Sequence, residues 1–276
     1  MFRLMLLAAT LAALLVVAPA PAATPHRIVS LSPTATESLF AIGAGKQVVA
    51  VDDQSDYPKR APRTSLSGYT PNVEAIAGYQ PDLVIMSGDA NGAVSGLRKL
   101  GIRVLLQPAA KDLAGAYAEI RQLGAVTGHR KNAAALVARM KKAIALTVKS
   151  VGRRKLAVYH ELDPTYYSAT SQTFIGRIYK LFGLRNIADA ADSTASGYPQ
   201  LSAEYIVSQS PGLIVLADTR CCGQSPASVA ARPGWSGIAA VRNHRVVSID
   251  DSVASRWGPR VVDFVRAVGK ALRRKA

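Results

Sequence analysis

Short aliphatic runs, separated by polar stretches bearing glycine and proline, set the pattern of this chain. Runs at 27–31, 48–51, 83–87 and 103–106 read as buried parallel strands, with a helix carrying Val94, Leu97 and Leu100 between the last two. After the first run, Ser32-Pro33-Thr34 offers a hydroxyl cap and a proline in the first turn, so a helix starts there and closes near Gly43. From Asp112 to about Ser150 there is no strand signal, and Leu136, Met140, Ile144 and Val148 recur every four residues, a helical stripe. Strand runs resume at 155–159, 213–217 and 245–249, with helices predicted at 174–182, closed by Gly183, and at 263–272.

Two stretches 130 residues apart read almost alike: Glu74-Ala-Ile76 leading through Pro81 to Leu83-Val84-Ile85, and Glu204-Tyr-Ile206 leading through Pro211 to Leu213-Ile214-Val215. Each fits a short helix that stops near the proline, followed by a buried strand. A single repeat at this spacing implies two similar lobes with a cleft between them rather than a solenoid. The fold class expected is α/β, two Rossmann-like lobes with parallel sheets joined by a long α-helix. The divisions are a leader at 1–23, a first lobe at 24–126, a linking helix at 127–152 and a second lobe at 153–276. A packed helical connector, unlike a Gly/Ser linker, limits the lobes to a small rotation, so the cleft is expected to be nearly preformed.

Composition changes the picture at the ends and in charge. Arg3, the apolar run from Leu4 to Ala18 and the small residues through Ala23 have the form of a secretory signal peptide. No cysteine stands near its end to accept a lipid, and no later apolar run reaches the ~18 residues of a membrane span. A soluble, exported, periplasmic protein that is not a lipoprotein is the expectation. Cys221 and Cys222 are the only cysteines and are adjacent; a vicinal disulfide, two reduced thiols and an intermolecular bridge all stay open. Net charge is +16 for the precursor and +15 without Arg3. The cations are spread over the surface without an Arg-rich arm or an aromatic-interleaved stripe, so nucleic-acid binding is not expected.

Catalytic signatures are missing. The segment from Phe40 to Gln47 lacks the glycine and hydroxyl that a phosphate loop requires, and no nucleophile elbow or His-Glu-x-x-His occurs. His26, His129, His160 and His244 are scattered, and only His160 falls at a strand end facing the cleft; no metal site is expected, and a half-buried structural histidine is the plainer reading. The chain is expected not to be an enzyme and to need no cofactor; the outside alternative is a thiol redox enzyme using Cys221 and Cys222.

The order Arg27-Ile-Val-Ser-Leu-Ser-Pro33-Thr-Ala-Thr-Glu37, Tyr57-Pro58, Gly68-Tyr69-Thr-Pro71-Asn-Val-Glu74, Pro81-Asp82, Glu161-Leu-Asp163-Pro164-Thr-Tyr166-Tyr167, Thr173-Phe174 and Arg256-Trp257-Gly-Pro259-Arg260 closely resembles the helical-backbone (class III) substrate-binding proteins of ABC importers for vitamin B12, iron-siderophores and haem. The resemblance covers essentially the whole mature chain. It implies a monomeric bilobed protein that captures a bulky chelate and presents it to a membrane permease dimer with its ATPase. It further implies that Glu74 and Glu204 pair with arginines of the two permease subunits, although helix-starting carboxylates also simply favour the helix dipole.

Ligand contacts are expected at the loops after the C-terminal strand ends. These select Ser32, Pro33, Thr34, Asp53, Tyr57, Tyr69, Gly88, Asp89, Tyr166, Tyr167, Asp218, Thr219, Arg256 and Trp257. Aromatics give flat area to a macrocycle and Arg256 suits a phosphate or carboxylate, while Tyr167 and Trp257 serve equally well as core. Tyr69 lies close to where haem-binding members carry a ligating tyrosine, but its surrounding run is more similar to cobalamin and siderophore binders. Cobalamin is the expected ligand, with a ferric siderophore and then haem as alternatives.

Overall fold

The computed structural model describes residues 23–274, so the leader expected at 1–23 lies, apart from Ala23, outside the described residues. The first lobe contains β1 (Ile28–Leu31), α1 (Pro33–Ala41), β2 (Val48–Val51), α2 (Val73–Ala77), β3 (Leu83–Met86), α3 (Ala93–Lys99) and β4 (Arg103–Leu106). Two long helices, α4 (Leu113–Val126) and α5 (Arg130–Val151), lead to the second. That lobe contains β5 (Ala157–Glu161), α6 (Phe174–Leu181), β6 (Arg185–Asn186), α7 (Ala203–Gln209), β7 (Leu213–Leu216) and α8 (Thr219–Cys222), followed by α9 (Pro226–Ala230), α10 (Ala239–Arg242), β8 (Val246–Ser248), α11 (Asp251–Ser255) and α12 (Val261–Leu272).

Both sheets are parallel and share one order, β2-β1-β3-β4 and β6-β5-β7-β8. The sequence repeat is therefore a structural one: β3 and β7 hold the same place in their sheets, pairing Leu83 with Ile28 and Leu213 with Val158. Every residue of β1, β3 and β7 is buried, which is why these strands read as unbroken aliphatic runs rather than as alternation.

The linking helix shares its core with both lobes. Leu136, Val137, Met140 and Ile144 belong to one buried cluster that also takes in Leu39 and Leu123 on one side and Phe182, Phe264 and Val268 on the other. Each fully buried side chain of this kind contributes about 1.5–3 kcal/mol, so α5 acts as a strut. The helical stretch breaks once, at Gly128, whose φ of +80° turns the chain between α4 and α5. Gly124 lets the two helices close up, since a Cβ there would run into Ala133.

Two sequence expectations shift. The strand expected at 155–159 runs from Ala157 to Glu161 because His160 and Glu161, polar by type, are fully buried with partners. His160 does not face the cleft: its Nδ1 lies 2.6 Å from the Tyr179 hydroxyl, and burial lowers its pKa to about 3, so it is a neutral core residue. The two-residue strand β6 carries too short a pattern to be seen in the sequence.

Candidate binding cleft between the lobes

The strand ends of the first lobe face α11 of the second across a cleft of about 360 Å³. On one wall stand Ser32, Pro33 and Thr34 after β1, Asp52 and Gln54 after β2, Gly68 and Tyr69 in the following loop, and Ser87 after β3. On the other are Asp251, Ser252 and Ser255 of α11, with Arg256 and Trp257 beyond it. Ser32 is in place because it caps α1, its Oγ accepting from the Ala35 amide at 3.3 Å. A second hollow of about 300 Å³ shares Ser255 and Trp257 and extends over 172–175 and 195–198, and a third of about 370 Å³ reaches Asp53, Arg220 and Cys221.

The guanidinium groups at the cleft are already paired. Glu37 of α1 accepts from Arg256 at 3.0 Å and from Arg260 Nε at 2.9 Å, and Arg256 also donates to Asp56 at 2.9 Å and to the Gln54 carbonyl at 2.8 Å. Arg220 of α8 reaches the same Asp56 at 3.0 Å. The Arg256 guanidinium, which lines the cleft, thus joins the two lobes. Trp257 is oriented by a hydrogen bond from its indole N–H to Glu119 of α4 at 2.7 Å. Burial raises the Glu119 carboxyl to about 7, against the opposing pull of that bond. Burial likewise raises Asp52 to about 6, Ser55 offsetting and Asp53 adding to the shift.

Of the residues expected at the ligand, Ser32, Pro33, Thr34, Tyr69, Arg256 and Trp257 share the cleft, and Asp53 lines the adjoining hollow. Tyr69 is 79% exposed at the mouth. The others sit apart from this cavity. Tyr57 lies beneath Arg260, 4.4 Å from its ring centre, and Gly88 is exposed. Asp89 accepts from the Val94 amide in the first turn of α3. Tyr166 stacks on Trp235, and Tyr167 bridges to Gln200, so both build the second lobe. Asp218 is wholly buried beside Glu161, which with burial raises it to about 7. Thr219 donates its hydroxyl to the Ile249 carbonyl.

Asp52, Ser252, Ser255, Glu37 and Glu119 were not singled out in the sequence. Asp52 adjoins a chosen strand-end residue, and the two serines lie three apart just before Arg256; Glu37 and Glu119 are paired with groups far along the chain, which no local pattern reveals.

Cys221 and Cys222 form a vicinal disulfide in α8. That helix is held by Asp251, whose carboxylate accepts the amides of Thr219, Arg220 and Cys221 at 2.8, 3.0 and 2.8 Å. On the outer surface, Glu74 and Glu204 are exposed in the first turns of α2 and α7, capped by Asn72 and Ser202. Among the described residues no three His, Cys, Asp or Glu converge to hold a metal ion, and no helix is long and apolar enough to cross a membrane.

The chain is 34% identical over 260 residues to the ABC transporter substrate-binding lipoprotein YvrC of Bacillus subtilis (strain 168), covering 90% of this chain and 80% of that one. It is 34% identical over 257 residues to a cobalamin-binding protein of Halobacterium salinarum, covering 90% and 69%. In fold it is similar to the periplasmic haem-binding protein HutB of Vibrio cholerae, with a TM-score of 0.79 over 90% of this chain and 98% of the other at 23% identity. The Bacillus relative corrects one expectation. Lack of an anchor was inferred from the leader, yet this relative is a lipoprotein, so the unanchored state does not stand, while placement outside the cytoplasm agrees with the relatives. Residues 28–253 match the periplasmic binding protein family model, and the chain belongs to that family of ABC-transporter substrate-binding proteins.

Proposed function

We propose that this protein captures a corrinoid, cobalamin in the first place, between its lobes and delivers it to an ABC permease. The observation that carries the reading is the 34% identity to a cobalamin-binding protein along nine-tenths of the chain. The cleft is compatible with it: Tyr69 and Trp257 offer flat surface, hydroxyls of Ser32, Thr34, Ser252 and Ser255 offer hydrogen bonds, and the chelate brings its own metal. The shared helical core and the ion pairs of Glu37 and Asp56 limit relative motion, so binding closes the cleft by a small rotation. Glu74 and Glu204, one on each lobe, meet cations of the two permease subunits.

Haem is the second reading, because Tyr69 stands exposed at the cleft mouth where one phenolate suffices to hold iron. Turnover is not part of the function. A thiol enzyme at Cys221 and Cys222 requires an acid or base beside the pair, and Asp251, the carboxylate bonded to the Cys221 amide, is occupied by three backbone amides. Tryptophan emission titrated with cyanocobalamin, haemin and ferric siderophores tests the reading: cobalamin is expected to quench alone, and equally in a Cys221→Ser, Cys222→Ser variant. Quenching by haemin alone, or loss of binding with the cysteines, overturns it.

A further inference from the structure

The cleft wall carries a buried carboxyl with an unused oxygen. Asp52, just past β2, lines the cleft yet is only 2% exposed, and its Oδ1 has no hydrogen-bond partner. Its Oδ2 is packed against Gly68, where an added Cβ would approach to 2.9 Å. The large majority of buried side-chain polar atoms in folded proteins have a partner, so an unpartnered oxygen on a residue that lines a cavity is a place for a ligand's donor. No cation is hydrogen-bonded to it, and the charge of Arg256 is the least of the influences on its carboxyl. Arg256 is taken by Glu37, Asp56 and the Gln54 carbonyl, Arg220 by Asp56 and Asp250, and Arg260 by Glu37. Lys111 and Arg63 edge the adjoining hollows, not the wall that carries Asp52.

We propose that Asp52 selects the ligand's charge: its open oxygen accepts an N–H of a neutral amide-bearing or cationic chelate, and the cleft refuses polyanionic ferric chelates because its guanidinium groups are committed to protein carboxylates. The inference rests on the reading of this cleft as the chelate site. With its carboxyl raised to about 6, Asp52 is still mostly ionised at neutral pH, and an anion in a poorly solvated wall repels a second one strongly. A carboxylate acceptor also makes a stronger hydrogen bond than the amide oxygen that replaces it in Asp52→Asn.

Three probes of different charge separate this inference from the corrinoid reading: ferrioxamine B, a cation; cyanocobalamin, neutral; and ferric enterobactin, a trianion. Dissociation constants are measured at neutral pH for the wild type and for Asp52→Asn, whose thermal melt is checked beside it. The wild type is expected to bind at least one of the first two and not the third, and Asp52→Asn to weaken that binding about tenfold. Binding of ferrioxamine B without cobalamin, weakened in Asp52→Asn, removes the corrinoid reading and keeps the inference. Equal binding of cobalamin by a folded Asp52→Asn, or tight binding of ferric enterobactin, overturns the inference and, where cobalamin binds, leaves the corrinoid reading standing. Silence from all three overturns both.

Discussion

Glu37 of the first lobe and Arg256 of the second meet at 3.0 Å although 219 positions separate them, and the same carboxylate also receives Arg260. Glu37 is 2% exposed. Removing one partner of such a buried pair leaves the other charge stranded, which is far more destabilising than the net worth of the pair. Glu37→Gln is expected to lower the free energy of unfolding by about 3 kcal/mol in urea titrations. A loss below about 1 kcal/mol, the scale of an exposed pair, contradicts the assignment of an interlobe tie.

Trp257 reports on Glu119. Burial raises that carboxyl from an ordinary value of 4.5 to about 7, so between these values the folded protein keeps a proton that the unfolded chain has released. The contribution to stability is full below the window and is lost as pH rises through it. The difference in tryptophan emission between the wild type and Glu119→Gln is expected to titrate near pH 7; a difference that is flat with pH contradicts the coupling.

Asp218 is buried with neither carboxylate oxygen partnered, while its neighbour Glu161 holds Arg232 through bonds of 2.6 and 2.7 Å. Its raised pKa, about 7, has the same sign: the ionised form is disfavoured in the fold. Asp218→Asn is expected to raise the melting temperature, and to raise it more at about pH 8 than at about pH 3, below both the ordinary value of 3.8 and the raised one, where both states are largely protonated. A variant that melts lower at the alkaline pH counts against this account.

Docking separates from capture. Glu74 and Glu204 are exposed and line none of the cleft walls, and charge reversal on a surface disturbs encounter more than fold. Glu74→Lys with Glu204→Lys is expected to leave the affinity for cyanocobalamin within about twofold and to abolish uptake by the reconstituted transporter; unchanged uptake contradicts the docking role.

Much of the architecture was legible because α/β lobes advertise themselves. Buried strands such as Leu83–Met86 and Leu213–Leu216 are unbroken aliphatic runs, and their shared context revealed the two-lobed plan. The stripe from Leu136 to Val148 marked the strut. The cleft was legible only in part. Strand-end reasoning found Ser32, Thr34 and Tyr69 because position along a strand is local information. It placed Arg256 at the cleft but not its partners, since nothing near that residue shows that Glu37 and Asp56 will meet it. Nor does anything near Tyr166 show that the fold stacks it on Trp235.

The central claim is tested most directly by calorimetric titration of the purified protein with cyanocobalamin. One-to-one binding with a dissociation constant below about 1 μM is the result expected, with haemin giving no heat. Silence from cobalamin together with a tight haemin isotherm that disappears in Tyr69→Phe would contradict it.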